Sequence, residues 1–268
     1  MDMNSVSVTQ LFRYPIKSFP GFSVNKLSLV EGGPKGDRRW MLVEPSGRFI
    51  TLRKIPDLYL FQVSEVGMQL QLSFPGQGEQ RFDAAPTEGA PLEVTVWSDQ
   101  VQAIEPFSEV SEWISSCLDR PCKLVYVPDD QLRQVDLDFA QAGDRVGFAD
   151  GYPILVVTEA SLKQFNQWLT EPMSMIRYRP NIVLDGLEAW SEDHWQQLVH
   201  GDLTIDLVKP CSRCAIPTLK PDTRERQLEV MQMLSEHRKQ SGGVMFGVNG
   251  IHRQLTEVTL GQQFTPVL

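Results

Sequence analysis

Cysteine and histidine are both scarce in this chain, with four of each in 268 residues. Four cysteines are too few for the disulfide scaffold of a small secreted protein. The histidines are scattered without the spacing of metal ligands, and we interpret all four as surface or structural residues. They are His194, His200, His237 and His252. The sequence therefore argues against a disulfide-stapled domain and against a histidine-rich metal site.

Long apolar runs are also missing. The longest clean run covers only residues 154–157, whereas a membrane-spanning helix needs about 18 apolar residues. Residues 1–6 are polar and lack the cationic and apolar regions of a signal peptide. The sequence therefore predicts no membrane span and a cytoplasmic location.

Basic charge is in deficit, because 25 Lys and Arg stand against 34 Asp and Glu, which gives a formal net charge of -9. Proteins that bind nucleic acid generally neutralise many phosphates with Lys and Arg. We therefore expect no nucleic-acid partner. A local basic pocket for a small anion remains compatible with this composition.

What is present is mostly the pattern of short strands. Residues 5–13 alternate between apolar and polar side chains, and further strand patterns separated by Gly and Pro continue to residue 97. The polar segment 128–141 is predicted to be an exposed connection or a lid over a neighbouring pocket, and the most mobile part of the chain.

Helical periodicity occurs in three places. One helix is predicted over residues 108–118, with Ser108 as its N-cap, and a second begins after Thr158 as N-cap. A charged amphipathic segment over residues 223–239 is expected to cover apolar surface with Leu228, Met231 and Leu234. Helices are therefore a minority in a mainly β chain.

Two cysteines, Cys211 and Cys214, stand three positions apart beside two cations. Thiolates are both nucleophiles and soft metal ligands. The pair is compatible with half of a zinc site, a dithiol redox switch, or one metal-ligating cysteine with a structural neighbour. The other two, Cys117 and Cys122, are predicted to pack in the core, which weakens a four-cysteine zinc site.

Several cations stand where an anion could bind. Lys17 and Ser18 lie in a loop with two prolines and a glycine, so they are displayed at a tip. Arg38 and Arg39 are predicted to start a strand and to point to opposite faces, so one at most enters a given pocket. Arg179 precedes another strand. From spacing alone a solvated lysine in a turn is the favoured interpretation of Lys17. A surface salt-bridge pair explains Arg177 and Arg179 as well as an anion site does.

Four motifs recur together in one known family. They are Tyr-Pro-Ile-Lys-Ser at 14–18, Gly-Asp-Arg-Arg-Trp at 36–40, Arg-Pro-Asn-Ile-Val at 179–183 and Cys-Ser-Arg-Cys at 211–214. In this order and spacing the chain resembles MOSC-domain proteins with an N-terminal MOSC β-barrel domain, in the amidoxime-reducing-component branch. The resemblance implies an α+β, predominantly β fold. It implies an N-terminal β-rich, barrel-like domain over residues 1–120 and a C-terminal MOSC β-barrel with flanking helices over residues 121–268.

The resemblance also implies a molybdenum-cofactor enzyme that reduces N-hydroxylated compounds, such as amidoximes and hydroxylamines, by oxygen-atom transfer to the metal. Cys214 matches the catalytic metal ligand, and Cys211 its neighbour, whose disulfide with Cys214 would be an inactive form. The cofactor-binding residues implied are Lys17, Ser18 and Arg38 at the phosphate and pterin, Arg179, Asn181, Ser212 and Arg213 near the pterin, and Asp150 and Thr158 at the pocket edge.

Two departures and two alternatives accompany this resemblance. Residues 220–224 read Lys-Pro-Asp-Thr-Arg where the family often has Asp-Pro-Asp-Thr-Gly, which implies a different substrate entrance. Some bacterial relatives continue into a ferredoxin-like iron–sulfur domain, whereas this chain ends at Leu268, so electrons are expected from a separate flavin, haem or iron–sulfur protein. The alternatives are a sulfur or cofactor carrier with a persulfide on Cys214, and, less favoured, a structural zinc or dithiol protein.

Overall fold

The computed structural model describes residues 5–185 and 188–268. Most of the polar N-terminal start, residues 1–4, lies outside the described residues. The first eleven strands are β1 (Val6–Arg13), β2 (Phe22–Ser23), β3 (Lys26–Val30), β4 (Gly33–Pro34), β5 (Trp40–Val43), β6 (Gln62–Val66), β7 (Gln69–Phe74), β8 (Gly78–Asp83), β9 (Ala90–Val96), β10 (Asp99–Glu105) and β11 (Lys123–Tyr126). The later strands are β12 (Arg133–Gln134), β13 (Arg145–Val146), β14 (Ile154–Thr158), β15 (Ile182–Leu184), β16 (Gln197–His200), β17 (Leu203–Ser212), β18 (Lys239–Gln240), β19 (Gly243–His252), β20 (Glu257–Thr259) and β21 (Gln263–Val267).

Three α-helices occur in the described residues, α1 (Ser108–Leu118), α2 (Glu159–Asn166) and α3 (Glu229–His237). Short 3₁₀ turns cover Pro56–Leu60, Asp129–Gln131, Met175–Tyr178, Ser191–His194 and Ile216–Thr218. The predominantly β, α+β class predicted from the sequence is therefore confirmed.

A closed seven-stranded barrel forms the larger part of the fold. Its strands pair in the order β14, β15, β1, β21, β16, β17 and β19, and β19 pairs back to β14. β14 and β15 run parallel, and the other neighbours in the barrel are antiparallel. The alternation in β1 is explained by this barrel, because Val6, Val8 and Leu11 are buried in its core beside Phe264.

The seam between β14 and β19 depends on a glycine. Gly247 has a φ of +74°, and a Cβ at this position would lie 2.7 Å from the carbonyl oxygen of Val156 and 2.5 Å from Cγ1 of Val157. Only glycine fits such an approach without movement of the neighbouring strand. The barrel therefore closes where one backbone packs directly on another.

Residues between the first strand and Tyr126 form a second unit of two antiparallel sheets. One sheet has the order β5, β11, β10, β9, and the other the order β6, β7, β8. Trp40 is fully buried at their centre, 5.1 Å from Phe82 and 5.0 Å from Tyr126 between ring centroids. Its indole N–H donates to the carbonyl of Ala84 at 3.0 Å, so the ring is satisfied as well as packed.

One strand of the first 120 residues lies in the barrel. β1 belongs to the barrel although it precedes the second unit in sequence, and β20 pairs with β3, whose Leu27 and Leu29 pack in the barrel core. The domain division expected after residue 120 stays a prediction.

The helices agree only in part with the sequence. Thr158 caps α2 as predicted, since its hydroxyl accepts a hydrogen bond from the backbone N–H of Ser161. The predicted cap of α1 is wrong, because Phe107 occupies the N-cap position and no side chain caps the helix. α3 is shorter than the predicted segment, and Leu228 just before it is 70% exposed instead of packed.

The segment expected to be an exposed lid contains regular structure. Asp129–Gln131 forms a turn, β12 pairs with β13, and Leu132 is buried. Leu137 is 62% exposed, as the polar pattern predicted. Among the described residues, no helix is long and apolar enough to cross a membrane.

Candidate functional site

A cleft of about 650 Å³ brings together segments from both units. Its walls come from the loop after β1, the turn before β5, the segments before β14 and β15, and the end of β17. The residues predicted for the site that line it are Lys17, Ser18, Arg38, Asp150, Arg179, Asn181, Ser212, Arg213 and Cys214. Side chains separated by up to two hundred positions in sequence therefore face one space.

Three of these residues have left-handed backbones although none is glycine. Ser18 has a φ of 69°, Arg38 a φ of 45° and Arg179 a φ of 59°. This conformation costs roughly 1–2 kcal/mol for a residue with a Cβ. Such strain persists where the surrounding structure imposes it, and it concentrates at functional sites. The backbone N–H of Arg38 bonds to the Tyr14 carbonyl at 2.7 Å, which holds the turn in place.

This backbone conformation, and not strand alternation, directs Arg38 into the cleft. β5 begins only at Trp40, so both arginines precede the strand. Arg39 points elsewhere, as expected, since it forms an ion pair with Asp129 at 2.6 Å and donates to the Val127 carbonyl. The prediction that only one of the two arginines enters the pocket is therefore confirmed, although the reason given for it is wrong.

Lys17 is buried at one wall of the cleft. Its ammonium donates to the carbonyl of Phe148 at 2.8 Å and pairs with the carboxylate of Asp150. Burial lowers the pKa of Lys17, and Asp150 partly opposes that effect. Burial would raise the pKa of the Asp150 carboxyl, but Lys17, together with a hydrogen bond from Trp97, holds it below its usual range. The charged forms of Lys17 and Asp150 therefore stabilise each other.

Arg38 and Arg179 both lie against the ring of Tyr14. Each guanidinium carbon is 4.4 Å from the ring centroid, a distance typical of cation–π contact. Arg38 also donates to Asp37 at 2.5 Å and to the side-chain oxygen of Asn181 at 3.1 Å. Burial raises the pKa of the Tyr14 hydroxyl, so Tyr14 stays neutral between two cations.

The cysteine segment follows directly from β17, which ends at Ser212. Arg213 donates from Nη1 to Cys211 Sγ at 2.9 Å and from Nη2 to the carbonyl of Tyr178 at 2.7 Å. Its third nitrogen, Nε, is buried without a hydrogen-bond partner in the described part of the chain. Cys214 is half-buried and lines the cleft. The two thiols therefore have different surroundings.

The charge of the cleft is opposite to that of the whole protein. Its lining includes Lys17, Arg38, Arg53, Arg179, Lys209 and Arg213, with Asp150 as the acidic side chain in that lining. In a chain with net charge -9, such a concentration of cations favours an anionic ligand, because a cleft focuses the field of its walls. The local basic pocket allowed by the composition is present.

Comparison with known proteins assigns both parts of the chain. Residues 5–121 match the MOSC N-terminal beta barrel domain, and residues 143–265 match the MOSC domain. The chain is 30% identical over 240 residues to "Mitochondrial amidoxime-reducing component 1" of Mus musculus, with 84% of this chain and 70% of that protein covered. The chain belongs to the amidoxime-reducing-component branch of the MOSC-domain family.

Two further relatives of this MOSC-domain protein show the range of names in the family. The Homo sapiens "Mitochondrial amidoxime-reducing component 1" is 30% identical over 239 residues, which cover 84% of this chain and 71% of that protein. The Danio rerio "Molybdenum cofactor sulfurase" is 30% identical over 284 residues, which cover 96% of this chain and 33% of that protein. The chain therefore matches one third of the sulfurase and most of the amidoxime-reducing component.

Thr158 is the one predicted site residue that the MOSC-domain structure does not place in the cleft lining. It is fully buried, and its hydroxyl lies 3.0 Å from Oε2 of Glu192 and 2.8 Å from the hydroxyl of Ser161. Because these contacts and the α2 cap occupy the side chain, the geometry gives it a structural position. Its assignment to the pocket edge stays a prediction.

Among the described residues, the protein side chains alone do not form a metal cage. No group of three or more His, Cys, Asp or Glu residues that could hold a metal occurs within residues 5–185 and 188–268. Cys122 is buried and Cys117 half-buried in the core around Trp40, away from the cleft lining. Both pack in the core, as predicted. These observations argue against the four-cysteine zinc site.

Sequence reasoning assigned no role in the site to several residues of the cleft, among them Arg53, Phe139 and Lys209. Lys209 stands beside the cysteine motif, and its position in β17 was the available signal. Phe139 comes from the polar segment expected to be a lid, where one aromatic residue has no local pattern to mark it.

Proposed function

We propose that this MOSC-domain protein binds a molybdenum cofactor and reduces N-hydroxylated compounds such as amidoximes and hydroxylamines. The observation that carries this proposal is the cleft itself, in which Cys214 faces a wall of cations. A thiolate is a soft metal ligand, and cations suit an anionic cofactor. The names of the amidoxime-reducing relatives support the reaction class.

The residues of the cleft fit such a cofactor. Arg179 and Arg213 make no ion pair with an acidic residue of the described chain, and the buried Nε of Arg213 lacks an acceptor. A buried donor without a partner is costly. A phosphate-bearing pterin would supply acceptors to these groups. A cofactor that brings its own sulfur ligands also needs only one cysteine from the protein, and Cys214 is available for this role, since Cys211 Sγ already accepts a hydrogen bond from Arg213.

Separate parts of the cleft would hold separate parts of the cofactor. Lys17, Ser18 and Arg38 would bind the phosphate, and Cys214 would bind the metal. Arg179, Asn181, Ser212 and Arg213 would contact the pterin, with Asp150 at the edge beside Lys17. When bound, the cofactor supplies the oxygen-atom acceptor and the two electrons that N–O reduction requires.

The chain's own residues would orient and shield that chemistry. Arg213 holds the cysteine segment through its bonds to Cys211 and to the Tyr178 carbonyl, which fixes the direction in which Cys214 enters the cleft. Arg38 and Arg179 are fixed on Tyr14, so the cations are arranged before the cofactor binds. We further propose a separate electron-donor protein, a small N-hydroxylated substrate and a cytoplasmic location.

The experiment that tests the proposal is the metal and pterin content of the purified protein. Protein made in a host able to synthesise molybdopterin should contain near-stoichiometric molybdenum and reduce benzamidoxime with an artificial low-potential donor. Correctly folded protein without molybdenum or pterin under those conditions would contradict the proposal.

A second candidate is a sulfur or cofactor carrier in which Cys214 bears a persulfide. The similarity to a molybdenum cofactor sulfurase over 96% of this chain favours it, and the cations of the cleft would stabilise an anionic persulfide. Intact-protein mass spectrometry after incubation with a cysteine desulfurase and cysteine separates the two candidates. A carrier would gain one sulfur atom on Cys214 and hold no stoichiometric metal.

A further inference from the structure

Two cations of the cleft, Arg53 and Lys209, are not among the residues assigned to the cofactor. Neither has an acidic partner within 4.0 Å among the described side chains. Arg53 lies over the ring of Trp97, with its guanidinium carbon 4.7 Å from the centroid. Lys209 lies over the ring of Phe139, with Nζ 4.0 Å from the centroid. Each cation therefore faces the cleft with an aromatic ring as its neighbour.

Lys209 is fixed relative to the cysteine segment. Its strand, β17, continues to Ser212, and its carbonyl accepts a hydrogen bond from the side chain of Asn249 at 3.2 Å. Five residues of extended chain span at most about 17 Å, so Lys209 lies within the length of a small molecule from Cys214. Both line the same cleft.

The ring of Phe139 is held by a second aromatic side chain. Tyr152 lies edge-on to it, with centroids 6.4 Å apart and an interplanar angle of 78°. Both rings line the cleft beside Lys209. An ammonium on an aromatic face makes only a weak contact compared with a charge-assisted hydrogen bond to a carboxylate. An incoming carboxylate therefore displaces the ring from the ammonium, and the freed ring face can stack on a planar substrate.

We propose that Lys209 and Phe139 form a subsite for substrates in which the N-hydroxylated group is carried on an aromatic body with a carboxylate at its far end. This inference rests on the proposed function, because it names the class of N-hydroxylated substrate. Lys209 takes the carboxylate, Phe139 takes the aromatic body, and the N–O group points along the cleft toward Cys214. Asp136 and Asp138 lie in the same loop as Phe139, and neither forms an ion pair with Lys209.

The test compares benzamidoxime with 4-carboxybenzamidoxime, using the cofactor-loaded protein. We expect the wild-type kcat/KM to be about tenfold higher for the carboxylated compound, the size of one charge-assisted hydrogen bond. Lys209→Met should bring this ratio close to one, and Lys209→Arg should retain most of it. Arg53→Met, which removes the other cation that stands on an aromatic ring, should leave the ratio as in the wild type.

Each outcome tests the subsite proposal separately from the reductase proposal. If the wild type reduces both compounds equally, or if Lys209→Met keeps the preference, the subsite is overturned while the reductase proposal stands. If neither compound is reduced, the reductase proposal fails, and calorimetric binding of the two compounds then decides the subsite. Tighter binding of the carboxylated compound that is lost in Lys209→Met supports it, and equal binding in both proteins overturns it.

Discussion

Nη1 of Arg213 lies 2.9 Å from Sγ of Cys211, so the guanidinium beside Cys214 in sequence is bonded to the other thiol of the pair. Cys211 lines the cleft as well, but it also packs against the apolar cluster around Phe246, whereas Cys214 lies beyond the end of β17. The two cysteines therefore have separate positions and separate expected effects when replaced.

Replacement of each of the two cysteines by serine should cause a different loss of activity. Cys214→Ser is expected to abolish benzamidoxime reduction and to lower molybdenum content, because a hydroxyl is a poor ligand for a soft site. Cys211→Ser should lower activity by about tenfold to a hundredfold, the usual loss for a residue next to a ligand. Full activity of Cys214→Ser would refute its assignment as metal ligand.

The neighbouring arginines provide a matched pair for the phosphate assignment. Arg38→Ala should weaken cofactor retention about tenfold or more, the cost of one hydrogen bond to a charged group. Arg39→Ala removes the same charge one position away, but its side chain bonds to Asp129 and Val127 outside the cleft. Pterin content after gel filtration is the measurement. Equal loss in both variants would show that the effect is structural.

Glu192 should make stability depend on pH. Burial raises the pKa of its carboxyl, although bonds from Ser161 and Thr158 oppose this. A carboxyl with a raised folded pKa gives stability that is fully present below its unfolded value, about 4.3, and lost as pH rises through the folded value. Glu192→Gln should therefore reduce the fall in Tm between pH 5 and 8.

The control for that experiment is Glu188→Gln, since Glu188 is exposed in the same connection. It should leave the pH dependence of Tm as in the wild type. The charged groups next to Glu192 are Asp193 and its partner Arg238, 2.5 Å apart, and both remain in each variant. A Glu192→Gln curve parallel to that of the wild type would contradict the assigned titration.

The barrel seam can be tested with two glycines of similar backbone conformation. Gly247 and Gly261 have φ values of +74° and +78°, so alanine costs roughly 1–2 kcal/mol at either. At Gly247 the new Cβ also meets the Val156 carbonyl, whereas at Gly261 nothing lies within 4 Å. Gly247→Ala should lower the free energy of unfolding, measured with denaturant, by about 1–3 kcal/mol more than Gly261→Ala does. This difference is the usual cost of overpacking. Equal losses would contradict the close approach.

Local patterns predicted the local elements of this fold. The alternation of β1, the Thr158 cap of α2 and the buried position of Cys122 follow from contacts within a few residues or from burial alone. The closure of the barrel does not, because β21 contains Pro266 and carries no pattern that names β1 as its partner. Pairing between distant strands is decided by the whole fold.

Features of the site likewise fall into those that the sequence predicted and those that it did not. The resemblance of the four motifs to a known family indicated Lys17, Arg38 and Cys214, which the structure places in one cleft. It gave no sign that Ser18, Arg38 and Arg179 adopt left-handed backbones, since none is a glycine or asparagine, residues that adopt this conformation more readily. Tyr14 likewise stood in a motif without an assigned role, and its place between two guanidinium groups depends on chain segments far apart in sequence.

The pairing of Val6 with Phe264 also sets an order of events during synthesis. β1 leaves the ribosome before its barrel neighbours β15 and β21, and β21 is the last of the described strands to emerge. The edges of β1 that these two strands cover stay unpaired until both have been made. The cysteine segment precedes β21 in sequence, so a nascent chain whose barrel closes slowly presents its thiols to oxidants before the cleft can protect them.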